Sequence, residues 1–211
     1  MENKTKIDSI GFDLDGTLWD ALDAVIYSWQ EAVSNFPDIP HPPTDEEVKG
    51  VMGLPPKGIA TTLFPYLTQE RAMEVFNHCT EVEIAHVRKV GGILFDGLEE
   101  TLEYLSQKYA LYIVSNCQKG YIEAFLAYHN LEKYFIDREN AENTGLSKGQ
   151  NIRLVMERNG LSNTVYVGDT IGDQWAAKEA GVPFIFAAYG FGKAEAPETT
   201  ISSIRQLTQI F

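Results

Sequence analysis

Three short, uninterrupted apolar runs, Leu111 to Val114, Val165 to Val167 and Phe184 to Phe186, are separated by stretches whose apolar residues recur at helical spacing. A strand with one wet face alternates polar and apolar side chains, whereas a strand that is apolar throughout must be covered on both faces. Strand and helix in alternation then predict a parallel sheet between two helical layers, a doubly wound α/β fold. A further run, Ile7 to Phe12, supplies the first strand, and Phe135-Ile136 reads as a short additional one. The 211 residues, 44% of them hydrophobic, are enough to bury a sizeable core in one domain, or in one domain carrying an insertion.

The alternation is interrupted once. Between about Asp20 and Val90 the pattern is helical only. Leu22, Val25, Ile26, Trp29 and Val33 form one helix face, with Asp20 as its expected N-cap. After the proline-rich Pro37 to Pro43, Thr44 caps a short helix from Glu46 to Met52. Gly53-Leu54-Pro55-Pro56 follows, and then a long helix carries Ala72, Val75, Phe76, Cys79 and Val82 on one face to Gly91-Gly92. This divides the chain into an α/β core, residues 1–19 and 91–211, and a helical insertion, residues 20–90.

A net charge of −13 argues against nucleic acid or anionic membrane as a partner, because both repel an acidic surface. A small phosphate ester is still admissible, since one divalent cation and one lysine reverse the local potential. Cys79 and Cys117 are too few for a disulfide framework and read as buried thiols of a reducing compartment. Met1 to Lys6 lacks a signal-peptide pattern, and the apolar-rich Ala180 to Gly192 is too short to span a bilayer. A cytoplasmic protein, monomeric or a small homo-oligomer, is expected.

In open α/β sheets ligands bind at the carboxyl ends of the strands, and the polar residues concentrate there. The first strand runs into Asp13-Leu14-Asp15-Gly16-Thr17. Asp13 and Asp15, two residues apart on an extended segment, leave on the same side, so a cation, a shared proton or a phosphoryl group must offset their repulsion. A tight turn is the plainer alternative, since Asp, Gly and Thr all favour turns. Ser115-Asn116 ends the next strand and Lys148 opens a helix, where a cation is disfavoured by the dipole. Gly168-Asp169-Thr170-Ile171-Gly172-Asp173 ends a third strand, and Asp173 there is also a good helix cap. Oxygen ligands without histidine or cysteine suit a hard cation such as Mg²⁺. With a lysine and hydroxyls around an aspartate, they point to phosphoryl transfer.

Asp13-x-Asp15-Gly-Thr, Ser115-Asn116, Lys148 and Gly168-Asp169-x-x-x-Asp173 together resemble, in order and over nearly the whole chain, the four motifs of the haloacid dehalogenase superfamily. The helical insertion is similar to the cap of its phosphoglycolate phosphatase and β-phosphoglucomutase branch. The resemblance implies Asp13 as nucleophile and Asp15 as general acid and base. It implies Mg²⁺ held by Asp13, the Asp15 backbone carbonyl, Asp169 and Asp173, and a phosphoryl group held by Ser115 and Lys148, with Thr17 and Asn116 nearby. Within that resemblance an aspartate at position 15 argues against dehalogenation, in which halide leaves without a proton. Thr17 stands where mutase relatives usually carry a hydrophobic residue. The expected activity is Mg²⁺-dependent hydrolysis of a small phosphate monoester, 2-phosphoglycolate being one candidate. A sugar-phosphate mutase is the alternative, and the intact motif set argues against a third class, a receiver-like protein with a dead site.

Other features carry less. Lys57 and the Gly53 turn resemble the cap loop that reaches an active site, or are a plain turn between helices. Trp19 reads as core. His41, His78, His86 and His129 have no metal spacing, and Gly190-Phe191-Gly192-Lys193 lacks a nucleotide-loop pattern and reads as loop punctuation.

Overall fold

The computed structural model describes residues 7–211; the reading of Met1 to Lys6 falls outside them. Strand β1 (Ser9–Phe12) leads to a two-residue strand β2 (Trp19–Asp20). Helices α1 (Leu22–Val33), α2 (Asp45–Val51), α3 (Pro56–Leu63) and α4 (Gln69–Val90) follow, then β3 (Ile93–Leu94). Beyond β3 come α5 (Leu98–Ser106), β4 (Ala110–Ser115), α6 (Tyr121–His129), β5 (Asp137–Asn140), α7 (Ala141–Thr144), α8 (Lys148–Asn159) and β6 (Thr164–Gly168). The chain closes with α9 (Ile171–Ala180), β7 (Phe184–Ala187), β8 (Thr199–Ile201) and α10 (Leu207–Ile210). The sheet order is β5-β4-β1-β6-β7-β8, every pairing parallel. The expected doubly wound sheet is present, and β1 lies inside it between β4 and β6.

That central position explains the sequence of β1. All four of its residues are buried, and Asp13, the next residue, donates its N–H to the Val167 carbonyl at 2.9 Å. The first carboxylate is therefore fixed by the sheet ladder itself. Antiparallel β2 and β3 form a separate ribbon, so the chain leaves for the four helices and returns from them side by side. Among those helices α1 packs on α4, with Trp29 meeting Phe76 edge-on at 5.9 Å between centroids. Thr44 and Glu47 complete a reciprocal capping box that starts α2.

Several sequence expectations are corrected. The strand expected at Phe135-Ile136 is two residues later, at Asp137–Asn140. Phe135 is buried in the core, and the strand proper lies at the sheet edge, where solvent and ion pairs replace an apolar face. Arg158 clamps it through Asp137 at 2.6 Å and Glu139 at 2.7 Å. Asp20 sits one residue ahead of the α1 cap, yet its carboxylate still accepts from Leu22 N–H at 2.9 Å. Helix α3 begins at Pro56, inside what reads as a proline–glycine loop, because proline is well tolerated in a first helical turn. Cys79 is buried as expected, whereas Cys117 is half-buried and lines the main cavity. Among the described residues no helix is long and apolar enough to cross a membrane.

Candidate active site

A cavity of about 610 Å³ lies between the carboxyl edge of the sheet and the helices α1 to α4. Three strand ends reach it. Asp13 follows β1, Ser115 ends β4 with Asn116 after it, and Asp169 follows β6. Lys148, the first residue of α8, comes in from the side behind its N-cap Ser147. Asp13, Asp169 and Asp173 are all buried, and each offers a carboxylate oxygen within 4.8 Å of the other two.

The Lys148 ammonium donates to Asp13 Oδ1 at 2.6 Å and also to Asp173 Oδ1. Burial alone would discharge this lysine, but the two carboxylates hold it firmly protonated. The second Asp173 oxygen accepts from the Thr170 N–H and hydroxyl at 2.9 and 2.7 Å. Asp173 is therefore both the third residue of a capping box and a member of the acid cluster, so the two readings of its position are compatible.

One ammonium among three carboxylates leaves an excess of negative charge. Burial and the charge of Asp173 push Asp13 up to about 6, despite Lys148. Burial and the charges of Asp13 and Asp173 push Asp169 up to about 8. Asp169 Oδ2 accepts from the Phe191 and Gly192 amides at 2.7 and 3.2 Å, while its Oδ1 is buried with no partner. An orphaned carboxylate oxygen beside two more acids fits a small hard cation.

Asp15 stands in different surroundings. Its Oδ1 accepts from Trp19 Nε1 and from the Tyr121 hydroxyl, both at 3.0 Å, so its side chain is outside the acid triad. Burial, with the charge of Asp13, pushes it up to about 8. Gly16, the residue after Asp15, has φ of 77°, and a Cβ there would collide with the Asp169 carboxylate. Trp19 is core, as expected, and also fixes Asp15.

Asn116 lines the cavity and donates to the Gly53 carbonyl at 3.2 Å, joining β4 to the turn before α3. Gly53, Leu54 and Pro56 of that turn line the cavity, whereas Lys57 is exposed and does not. Two expected site residues lie outside the lining: Asp173, which bonds to Lys148 within the acid cluster, and Thr17. The Thr17 N–H and that of Leu18 both return to the Leu14 carbonyl, curling Thr17 into the core, and Tyr189 Oη holds its carbonyl at 2.9 Å. None of the four histidines lines the cavity.

The loop at Gly190 is more than punctuation, since its amides hold Asp169. A Cβ on Gly190 would meet the Gly16 carbonyl and the Asp169 side chain, neither of which can swing away. Gly190→Ala is expected to lower Tm by about 3–10 °C, from about 1–3 kcal/mol of overpacking, and to cut turnover. A thermal melt and a rate at wild-type values would contradict that. Its position after β7, at one more strand end, is the signal for this loop. Glu83 was also missed. It follows Phe76 and Cys79 at helical spacing, an acid on an otherwise apolar face, and it is buried at the cavity wall. Tyr121 and Gln118 have no such local signal.

Residues 10–187 match the family model for haloacid dehalogenase-like hydrolases. The phosphoglycolate phosphatase of Vibrio parahaemolyticus is 26% identical over 228 residues, covering 95% of this chain and 94% of its own. A 5'-nucleotidase of Pseudomonas aeruginosa is 26% identical over 199 residues, covering 89% and 85%. Among solved structures, a predicted phosphoglycolate phosphatase from Haemophilus somnus aligns with TM-score 0.84 at 21% identity, over 98% of this chain and 99% of that one, which bears on the fold. The chain belongs to the haloacid dehalogenase-like hydrolase family, and it is a hydrolase whose curated relatives include phosphatases.

Proposed function

We propose that the protein is a Mg²⁺-dependent phosphatase that hydrolyses a small phosphate monoester through an aspartyl-phosphate on Asp13. The observation that carries this reading is the contrast between two aspartates on one turn. Asp13 is ion-paired to Lys148, while burial pushes Asp15 to about 8. A nucleophile must be ionised and a general acid must hold a proton near neutral pH, and these environments separate the two states.

Asp13 attacks phosphorus, the ester P–O bond breaks, and Asp15 gives its proton to the departing oxygen. Asp15 then takes a proton from water as the water oxygen attacks phosphorus, releasing inorganic phosphate and restoring Asp13. Lys148, Ser115 and Asn116 orient the phosphoryl group, and the Gly190 loop keeps Asp169 in place. Asp13, Asp169 and Asp173, with the Asp15 backbone carbonyl, are the proposed Mg²⁺ ligands. When bound, the ion supplies positive charge to the phosphoryl oxygens. The helical stretch 20–90 acts as the lid over this chemistry. A phosphate-release screen over sugar phosphates, nucleotides, phosphoglycolate and p-nitrophenyl phosphate, with Mg²⁺ and with EDTA, tests the proposal. Mg²⁺-dependent release from at least one ester is expected, and no release from any would reject it.

The metal also has an expected thermodynamic signature. Without it, Asp13, Asp15 and Asp169 keep protons in the folded chain at pH values where the unfolded chain has lost them. Folded values above the unfolded ones mean that the contribution of these three groups to stability is greatest below about pH 4 and is lost as pH rises through about 6 to 8. Mg²⁺ at about a hundred times its Kd adds about 2.7 kcal/mol, or about 5–10 °C in Tm. The gain in a thermal melt should be larger at pH 8 than at pH 5.5, where protons compete with the ion. An equal gain at both, or none, would contradict the metal assignment.

A further inference from the structure

One part of the cavity wall joins the helical insertion to the segment between β4 and α6, and its side chains have no role in the chemistry above beyond the charge of Glu83 near Asp15. Glu83 of α4 is buried and lines the cavity. Its Oε2 accepts from Trp29 Nε1 at 2.6 Å. Gln118, just before α6, also lines the cavity, lies against Glu83 and is 9% exposed. Its Nε2 is buried beside the Glu83 carboxylate, without the geometry of a full hydrogen bond to it. A buried amide donor left unsatisfied is costly, and natural structures rarely keep one without a ligand or water to meet it. Around this pair stand Val25, Trp29 and Phe76, an apolar and aromatic wall.

We propose that Glu83 and Gln118 form a subsite for a hydroxyl group of the ester's leaving group, so that the substrate is the phosphate of a hydroxylated carbon compound rather than of a carboxylic acid. A hydroxyl donates and accepts at once, so it can give its proton to the Glu83 carboxylate while accepting from Gln118 Nε2. The Trp29 and Phe76 rings suit the C–H face of a ring or carbon chain. The free carboxylate of phosphoglycolate would instead add negative charge to a cavity that already holds Glu83 and Asp15. Lys49 and Lys193, the other lysines of the lining, are exposed. Volume points the same way, since the cavity of about 610 Å³ is larger than a two-carbon acid fills.

The inference rests on the phosphatase reading but fails separately from it. The test compares kcat/KM for glucose 6-phosphate, ribose 5-phosphate, glycerol 3-phosphate and 2-phosphoglycolate, with p-nitrophenyl phosphate as a reference. The assays run with Mg²⁺ at about pH 7.5, above the value of about 7 to which burial pushes Glu83. At least one hydroxylated ester is expected to exceed phosphoglycolate by tenfold or more. In Glu83→Gln, and independently in Gln118→Leu, that ratio should fall about tenfold, the fold-change of a lost hydrogen bond in a buried site. A ratio between two substrates cancels any effect of Glu83 on Asp15 that both share. If phosphoglycolate is the better substrate of the wild type, or both variants keep the wild-type ratio, the subsite is wrong. If no ester, p-nitrophenyl phosphate included, releases phosphate, the phosphatase reading is what has failed.

Discussion

Asp13→Asn is expected to lower phosphate release by about 10⁴-fold or more on every ester the wild type hydrolyses, because the remaining groups cannot form the covalent intermediate. The substitution changes little else. Asparagine has the same shape, its carbonyl oxygen can still accept from Lys148, and the bond between Lys148 and Asp173 is untouched. It also removes one of three converging negative charges, so the metal-free variant should melt no lower than the wild type. Loss of activity with retained or raised Tm separates a missing nucleophile from a misfolded chain. A variant that still turned over at more than about a hundredth of the wild-type rate would give the attacking role to another group.

Asp15→Asn should cost about 10²–10⁴-fold on an alkyl phosphate, the usual worth of a positioned general acid. Its carbonyl can keep both hydrogen bonds, from Trp19 and from Tyr121, so the loss is in the proton and not in the turn. A leaving group that needs no proton feels this less. The deficit on p-nitrophenyl phosphate should therefore be clearly smaller, although Asp15 also serves as base in the second step. The pH profile carries the same information. Asp15 must be protonated to act as an acid, so the wild-type rate on an alkyl ester should fall as pH rises through about 8. That limb should be absent from the Asp15→Asn variant. Equal deficits on both esters, with the alkaline limb intact, would move the acid elsewhere.

The parts of the fold legible in the sequence are those where burial leaves little choice. β1, β4 and β6 lie inside the sheet, so they are continuous apolar runs, and the residues that follow them are where ligands meet such sheets. The edge strand β5 escaped because Asp-Arg-Glu-Asn has no apolar side chain; long-range ion pairs to Arg158 hold it, and sequence period does not display them. Helix α3 escaped because prolines and a glycine normally punctuate loops. At the site, Asp13, Asp15, Ser115, Lys148 and Asp169 were legible because each terminates or opens an element. Thr17 looked like their neighbour, but the turn through Leu14 carries it into the core. Apart from Trp19, the contacts that tune Asp15 and line the cavity near it come from Tyr121, Gln118 and Glu83, residues distant in sequence. Only Glu83 left a trace, as an acid on an apolar helix face.

The central claim is that the phosphoryl group passes through Asp13, and one measurement addresses it directly. Wild-type protein is mixed with p-nitrophenyl phosphate and Mg²⁺, quenched in acid within the first turnovers, digested, and analysed by mass spectrometry. The account predicts one phosphoryl group on the peptide that contains Asp13, released by hydroxylamine as an acyl phosphate is, and absent from Asp13→Asn. Turnover in the wild type with the phosphoryl group on any other residue, or an Asp13→Asn protein that still carries it, would contradict the account.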